Sequence, residues 1–152
     1  KAERRALLEQ AGGVDVIVTT YDTLKRDIDL YGARHFGCVF LDEAQHIKNP
    51  ATQSARAVKK LSADTCFALT GTPIENTLTE LWSIFDFLMP GYLGSQSKFK
   101  QRFELPIVRA EDKKAAKALR QRVMPFILRR MKKDVLKELP DKVERKLVGE
   151  MT

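Results

Sequence analysis

The 152-residue sequence holds only two cysteines, Cys38 and Cys66, and two histidines, His35 and His46. Both cysteines lie in apolar, strand-like runs, where a thiol behaves as a small hydrophobe. Without a second cysteine pair or a histidine cluster, neither a structural disulfide nor a metal site is expected. No stretch of about 20 apolar residues occurs, so no membrane span is expected. No secretory leader is visible, although a piece of a longer chain would not retain one. Repeats and low-complexity segments are absent too. A further absence concerns chemistry: no Gly-x-x-x-x-Gly-Lys-Ser/Thr run is present, the loop whose backbone N–H groups cradle nucleotide phosphates.

What remains is an ordinary globular composition, 43% hydrophobic, in a chain of a size that forms one domain with a real core. Its charge is uneven. Residues 1–95 carry 10 Lys and Arg against 12 Asp and Glu, a balance of −2, whereas residues 96–152 carry 17 against 8, a balance of +9. A basic block of this kind suits a polyanion, most often nucleic acid; a solvated helix face is the alternative.

The short apolar run Gly37-Cys38-Val39-Phe40-Leu41 ends on Asp42-Glu43-Ala44-Gln45. A buried strand that ends this way presents two carboxylates at the carboxyl edge of a sheet, where open α/β folds bind ligands. Nucleotide hydrolases need one carboxylate there for Mg²⁺ and one to orient or deprotonate water. Asp42 and Glu43 fit those roles, unless the pair merely caps the turn that follows. A second run, Thr65-Cys66-Phe67-Ala68-Leu69, ends likewise on a polar turn, Thr70-Gly71-Thr72-Pro73. Two such strands, each followed by a helical pattern, imply a parallel sheet.

Together these two joins resemble motifs II and III of superfamily 2 helicases. Three further segments resemble the Swi/Snf branch of DNA-dependent ATPases: His46-Ile47-Lys48-Asn49, Ile74 through Trp82, and Phe126-Ile127-Leu128-Arg129-Arg130-Met131-Lys132-Lys133-Asp134-Val135. The matching segments run from about Val14 to Glu144. The resemblance implies an α/β fold, a partial RecA-like parallel sheet with flanking helices, followed by a mostly α-helical protrusion. It implies an ATP hydrolase and double-stranded DNA translocase with ATP and Mg²⁺ as cofactors. The phosphate loop would lie upstream of this segment, and a second ATPase lobe would follow it, so the piece alone is expected to be inactive. Partners implied are double-stranded DNA, the second lobe of the same chain and a DNA-bound protein complex, with no membrane. The short connection between the helical motifs and the lack of long insertions point to a prokaryotic source and a cytoplasmic, nucleoid location; a eukaryotic source would make it nuclear. Two other readings stay open: a non-catalytic DNA- or protein-binding module, and a helicase subunit of a restriction-type system.

By the same resemblance, Asp42 holds Mg²⁺ through water, Glu43 orients the attacking water and Gln45 senses the γ-phosphate. Gln45 stands where many superfamily 2 chains have His, and its amide both donates and accepts. Thr70, Gly71 and Thr72 take a coupling role, with a rigid turn as the plain alternative. Thr19, Thr20 and Tyr21 are expected to contact a DNA strand, or else to be an ordinary strand end. Lys48 adds a phosphate contact or supports its loop. Arg129, Arg130, Lys132 and Lys133 are the densest basic cluster; consecutive helix positions diverge, so they do not all face one groove.

The expected elements are the end of a helix over 2–10, a buried strand over 14–21, and a helix from Thr23 to Tyr31 capped by Asp22. Strands follow at Cys38–Leu41 and Cys66–Leu69, with a helix from Ala51 to Leu61 led by Pro50. The helix Leu78 to Leu88 carries Leu78, Leu81, Trp82, Phe85 and Leu88 on one stripe, which places Trp82 and Phe85 in the core. Beyond Pro90 strand signals stop. Helices are expected from Ser97 to Phe103, Glu111 to Val123 and Phe126 to Leu136, broken at Met124-Pro125, with a strand or linker from Val143 to Val148. The domain boundaries read as 1–92, half of a RecA-like lobe; 93–140, the protrusion; and 141–152, a linker.

Overall fold

The computed structural model describes residues 5, 6, 10, 15–71 and 77–130. Thr72, Lys132, Lys133, the strand or linker over 143–148 and most of the expected helix after Phe126 lie outside the described residues. The described chain divides into two compact units, one through Ala116 and one from Lys117.

Arg5, Ala6 and Gln10 are helical, as the first segment anticipates. The strand expected over 14–21 is not formed. Residues 16–20 lie outside the sheet, and Val16 and Val18 are 75% and 91% exposed. Their β-branched side chains favour extended backbone, but a strand exists only where a neighbour completes its ladder. The next helix also differs from expectation. Helix α1 (Tyr21–Arg26) is capped by Thr20, whose side chain accepts from Thr23 N. Asp22 instead pairs with Lys25 at 2.7 Å. After Asp27 a separate short helix, α2 (Ile28–Gly32), takes over.

Strands β1 (His35–Leu41) and β2 (Ser62–Ala68) are longer than expected and pair in parallel, with His35 opposite Ser62 and Leu41 opposite Ala68. The helix between them, α3 (Gln53–Val58), starts at Thr52 rather than at Pro50. Asn49 Oδ1 accepts from Ala51 N at 2.9 Å, which keeps Pro50 and Ala51 in a turn. Asx geometry of this sort competes with helix and wins next to a better cap.

Helix α4 (Leu78–Leu88) matches its expected span, and Leu81, Trp82, Ile84, Phe85 and Phe87 are all buried on it. Each such side chain contributes about 1.5–3 kcal/mol through burial. The Trp82 indole N–H donates to Gly94 O at 2.9 Å. Lys59 lies 4.8 Å from the Trp82 ring and pairs with Asp86 at 2.8 Å. The core gathers Leu24, Tyr31, Leu41, Ala44, Ile47, Ala55, Val58, Ile84 and Phe87. It covers one side of the sheet. On the other side Phe40 and Phe67 stack with centroids 4.7 Å apart and stay 64% and 45% exposed. Cys38 is exposed and Cys66 half-buried, both free thiols; burial, then the neighbouring Cys38, pushes the Cys66 thiol up.

After Pro90 the chain is helical, as expected, but it holds one more turn than the sequence suggests. Helix α5 (Gln96–Phe99) runs through a π-helical turn (Lys100–Glu104) into α6 (Leu105–Ala110). Pro106 explains the π turn: it lacks an N–H and its ring crowds the carbonyl four residues back, so the ladder slips by one residue. Phe99 and Phe103 are buried within this segment. Helix α7 (Lys113–Val123) follows, with Asp112 Oδ1 accepting from Lys114 N and Ala115 N. Met124–Phe126 form a 3₁₀ turn and Ile127 is extended, so the helix expected from Phe126 does not begin within the described residues. Met124-Pro125 ends α7 outright rather than kinking it.

Candidate functional site

Leu41 is the last residue of β1, and the chain turns sharply just beyond it. Glu43 sits in the left-handed region at φ 49°, ψ 51°, a conformation that costs a non-glycine residue about 1–2 kcal/mol. A dense set of hydrogen bonds holds it there. Asp42 Oδ1 accepts from Glu43 N at 2.9 Å. Ala44 N donates to Leu69 O at 2.8 Å, and Leu69 N donates to Leu41 O at 2.8 Å. Sequence alone gives no sign of this strain, because Asp and Glu pairs cap helices far more cheaply.

A 3₁₀ turn (Ala44–Ile47) follows, and its two apolar residues, Ala44 and Ile47, are fully buried. Ser83, buried on α4, donates to Ile47 O at 2.6 Å. The turn is thereby clamped from below, and its polar residues point outward. Gln45 Nε2 donates to Glu43 Oε2 at 2.5 Å, and Gln45 Oε1 accepts from Thr70 Oγ1 at 2.8 Å. The amide orientation follows from chemistry: the NH₂ faces a carboxylate that only accepts, and the carbonyl faces a hydroxyl that donates. The loops after β1 and β2 are therefore joined side chain to side chain.

Tyr21 reaches the same turn from the other flank. Its hydroxyl donates to Asp42 O at 2.8 Å, and its ring lies 5.0 Å from that of His46. Burial first, then the charges of Asp42 and Glu43, push the Tyr21 phenol up to about 12. It is a neutral donor throughout the physiological range. Thr20 caps α1 through Thr23 N, and Thr19 Oγ1 accepts from Tyr31 at 3.2 Å. The resemblance expects Tyr21, beside Thr19 and Thr20, to contact DNA; in the fold its hydroxyl also donates to Asp42 O. Ser83 and the Tyr21 hydroxyl are the two site-forming groups that sequence reasoning misses. Tyr21 carries a signal, a half-polar aromatic directly after an N-cap; Ser83 carries none.

Asp42 and Glu43 are exposed, and among the described residues neither is in a salt bridge. Two adjacent, uncompensated carboxylates at a sheet edge fit a divalent cation. One oxygen of Asp42 is engaged by Glu43 N. No group of three His, Cys, Asp or Glu side chains able to hold a metal occurs among the described residues. Gly71 is exposed and follows Thr70 on the second loop. Lys48 ends the 3₁₀ turn, half-buried. Arg129 and Arg130 are exposed, outside any helix or strand, in the second unit.

A parallel pair of strands with an acidic turn at its carboxyl edge, braced by helices, is the architecture of part of a nucleotide-hydrolase lobe. Likeness to known proteins makes that class specific. The SNF2-related domain matches residues 3–152, and the chain belongs to that family. It is 42% identical over 92% of its length to the TATA-binding protein-associated factor MOT1 of Saccharomyces cerevisiae, spanning 8% of that protein. With the putative ATP-dependent helicase/translocase YwqA of Bacillus subtilis it shares 46% identity over 87% of its length, spanning 14% of YwqA. Its fold matches the Sulfolobus solfataricus SWI2/SNF2 ATPase core, solved in complex with double-stranded DNA. The TM-score is 0.74 at 47% identity, covering 86% of this chain and 28% of the other. The RecA-like, Swi/Snf-type expectation is thereby met, including the parallel sheet with flanking helices. No helix among the described residues is long and apolar enough to cross a membrane.

Proposed function

We propose that this chain is the C-terminal half of the first ATPase lobe, with its helical protrusion, of a Swi/Snf-type ATP-dependent translocase acting on double-stranded DNA. The observation that carries the reading is the strained, hydrogen-bonded turn that presents Asp42 and Glu43, with Gln45 bridging Glu43 to Thr70. The domain division is the one the sequence suggests: lobe through residue 92, protrusion over 93–140 and linker over 141–152. The bare sheet face at Phe40 and Phe67 supports a lobe completed by further chain, since parallel sheets are covered on both faces.

In this reading Asp42 would hold the metal of Mg·ATP through water, and that metal, when bound, would supply positive charge beside the phosphates. Glu43 accepts a hydrogen bond from the attacking water and draws its proton away. Gln45 sets the direction of the Glu43 carboxylate through the Oε2 contact. Thr70 in turn fixes Gln45, so a shift of the loop holding Thr70, Gly71 and Thr72 reaches the carboxylate through two hydrogen bonds. Thr19, Thr20, Tyr21, Lys48, Arg129 and Arg130 contact the DNA backbone, giving salt-dependent and sequence-tolerant binding. A DNA-bound protein complex is the further partner, as the name of MOT1 suggests for that relative.

The test is ATP hydrolysis by the full-length protein and by the isolated 152-residue chain, each with and without duplex DNA. The full-length protein is expected to turn over ATP faster when DNA is present. The isolated chain, without a phosphate loop, is expected to be inactive. DNA-stimulated turnover by the isolated chain overturns the partial-lobe reading. A full-length protein that binds DNA and does not hydrolyse ATP is a binding module instead.

A further inference from the structure

We propose that Tyr21 is a positioning residue that ties the segment Thr19-Thr20 to the peptide carrying Asp42 and Glu43, so that events at one are felt at the other. The inference deepens the reading above and rests on it. The peptide plane between Asp42 and Glu43 is held at both ends. On its N–H side the Asp42 carboxylate accepts from Glu43 N at 2.9 Å. On its C=O side the hold among the described residues comes from the Tyr21 hydroxyl at 2.8 Å, a contact between residues 21 apart in sequence. That plane sets ψ of Asp42 and φ of Glu43, and hence the direction of the Glu43 side chain.

Three observations make Tyr21 suited to this task. Its ring is half-buried and packs on His46, which rides on the same 3₁₀ turn, so the contact has two points of purchase. Its backbone begins α1, whose cap is Thr20, so any movement of Thr20 carries Tyr21 with it. Thr19 is held by Tyr31 of the core at 3.2 Å, which leaves the 19–21 segment only a limited arc of motion. A phosphate gripped by Thr19 or Thr20 would therefore reset the Tyr21 hydroxyl, and through it the Glu43 carboxylate.

The variant Tyr21→Phe in the full-length protein keeps the ring and its packing on His46 and removes the hydroxyl alone. The expected result is a fall in DNA-stimulated kcat of about tenfold, equivalent to about 1.4 kcal/mol of barrier, with KM for ATP, duplex affinity and thermal midpoint each within about twofold or 2 °C of the parent. A kcat within twofold of the parent overturns the proposal. So does a parallel loss of kcat, KM and thermal midpoint, the mark of a merely structural role. Glu43→Gln, measured beside it, separates this inference from the reading beneath it. If Glu43→Gln abolishes turnover and Tyr21→Phe does not slow it, only the Tyr21 link fails. If Glu43→Gln turns over normally, the site assignment fails and the link fails with it.

Discussion

The α/β part of this molecule and its helical part are built on different kinds of contact. Around the acidic turn the polar contacts are long-range: Tyr21 to Asp42, Thr70 to Gln45 and Ser83 to Ile47 bridge 21, 25 and 36 residues. Beyond Pro90 most are local caps, such as Ser95 to Lys98 and Asp112 to Lys114, with Thr79 to Glu104 as a longer tie. The charge differs as well, with −2 over residues 1–95 and +9 over 96–152. The first arrangement ties distant segments to one another through individual side chains. The second carries Lys and Arg on its described helices, among them Lys98, Arg109, Lys113, Lys117 and Arg120, a charge pattern that suits a polyanion. Single substitutions should therefore matter most in the first part, and summed charge in the second.

The largest effect that sharpens this contrast is expected from the basic cluster. Replacing Arg129, Arg130, Lys132 and Lys133 together by Ala in the full-length protein should weaken duplex binding at least tenfold at low salt. It should also flatten the dependence of log affinity on log salt, by up to about 0.9 for each phosphate no longer neutralised. Thermal stability measured alongside separates the removal of charge from the removal of packing by the side-chain stems. A folded variant that binds as tightly as the parent would make the cluster a solvated face and move the DNA path to Thr19, Thr20 and Lys48.

Next comes Ser83→Ala. It leaves the Ile47 carbonyl without its buried donor, and chemical denaturation should show a loss of about 1–3 kcal/mol. No loss would mean that the turn does not depend on α4 from below. A smaller effect is expected for Thr70→Val, which removes the hydroxyl and keeps the shape: kcat for ATP lowered about threefold to tenfold, the equivalent of one neutral hydrogen bond, with duplex affinity unchanged. Equal reductions in kcat and duplex affinity would place Thr70 on the DNA path rather than on the carboxylate.

The smallest concerns pH. The Tyr21 phenol is raised in the fold from 10.0 to about 12, so between those values the unfolded chain releases the proton and the folded chain keeps it. Stability from this group is therefore complete below about pH 10 and declines as pH rises toward 12. The parent should lose unfolding free energy relative to Tyr21→Phe across that window, and the difference between them should stay constant from pH 7 to 9. A difference that does not change would mean that the phenol is free to ionise in the folded chain.

Much of the site is legible in the sequence, because the chemistry needs particular residue types next to strand ends. Asp42, Glu43, Gln45 and Thr70 converge as their motifs imply, and α4 emerges over its expected residues because its apolar stripe has no competitor. The misses share one physical cause: a contact from outside the segment decides its state. Val16-Ile17-Val18 has the composition of a buried strand and pairs with no strand among the described residues, so it stays outside the described sheet. Asp22 and Pro50 are good helix starters that lose to Thr20 and Thr52, each with a backbone N–H three residues on within reach. The Glu43 conformation and the Ser83 clamp depend on atoms far along the chain, and no local pattern announces them. The pattern around Arg129 and Arg130 suits a helix, yet Pro125 ends helical structure before reaching them.

The central claim, that Glu43 handles the attacking water at a site braced for ATP hydrolysis, is tested most directly by Glu43→Gln in the full-length protein. ATP affinity would be measured at equilibrium, and hydrolysis under single-turnover conditions with duplex DNA present. The account predicts affinity within a few-fold of the parent and a hydrolysis rate lower by about 10² or more, because the amide keeps the shape and cannot take the proton. A variant that hydrolyses ATP at nearly the parent rate would contradict it.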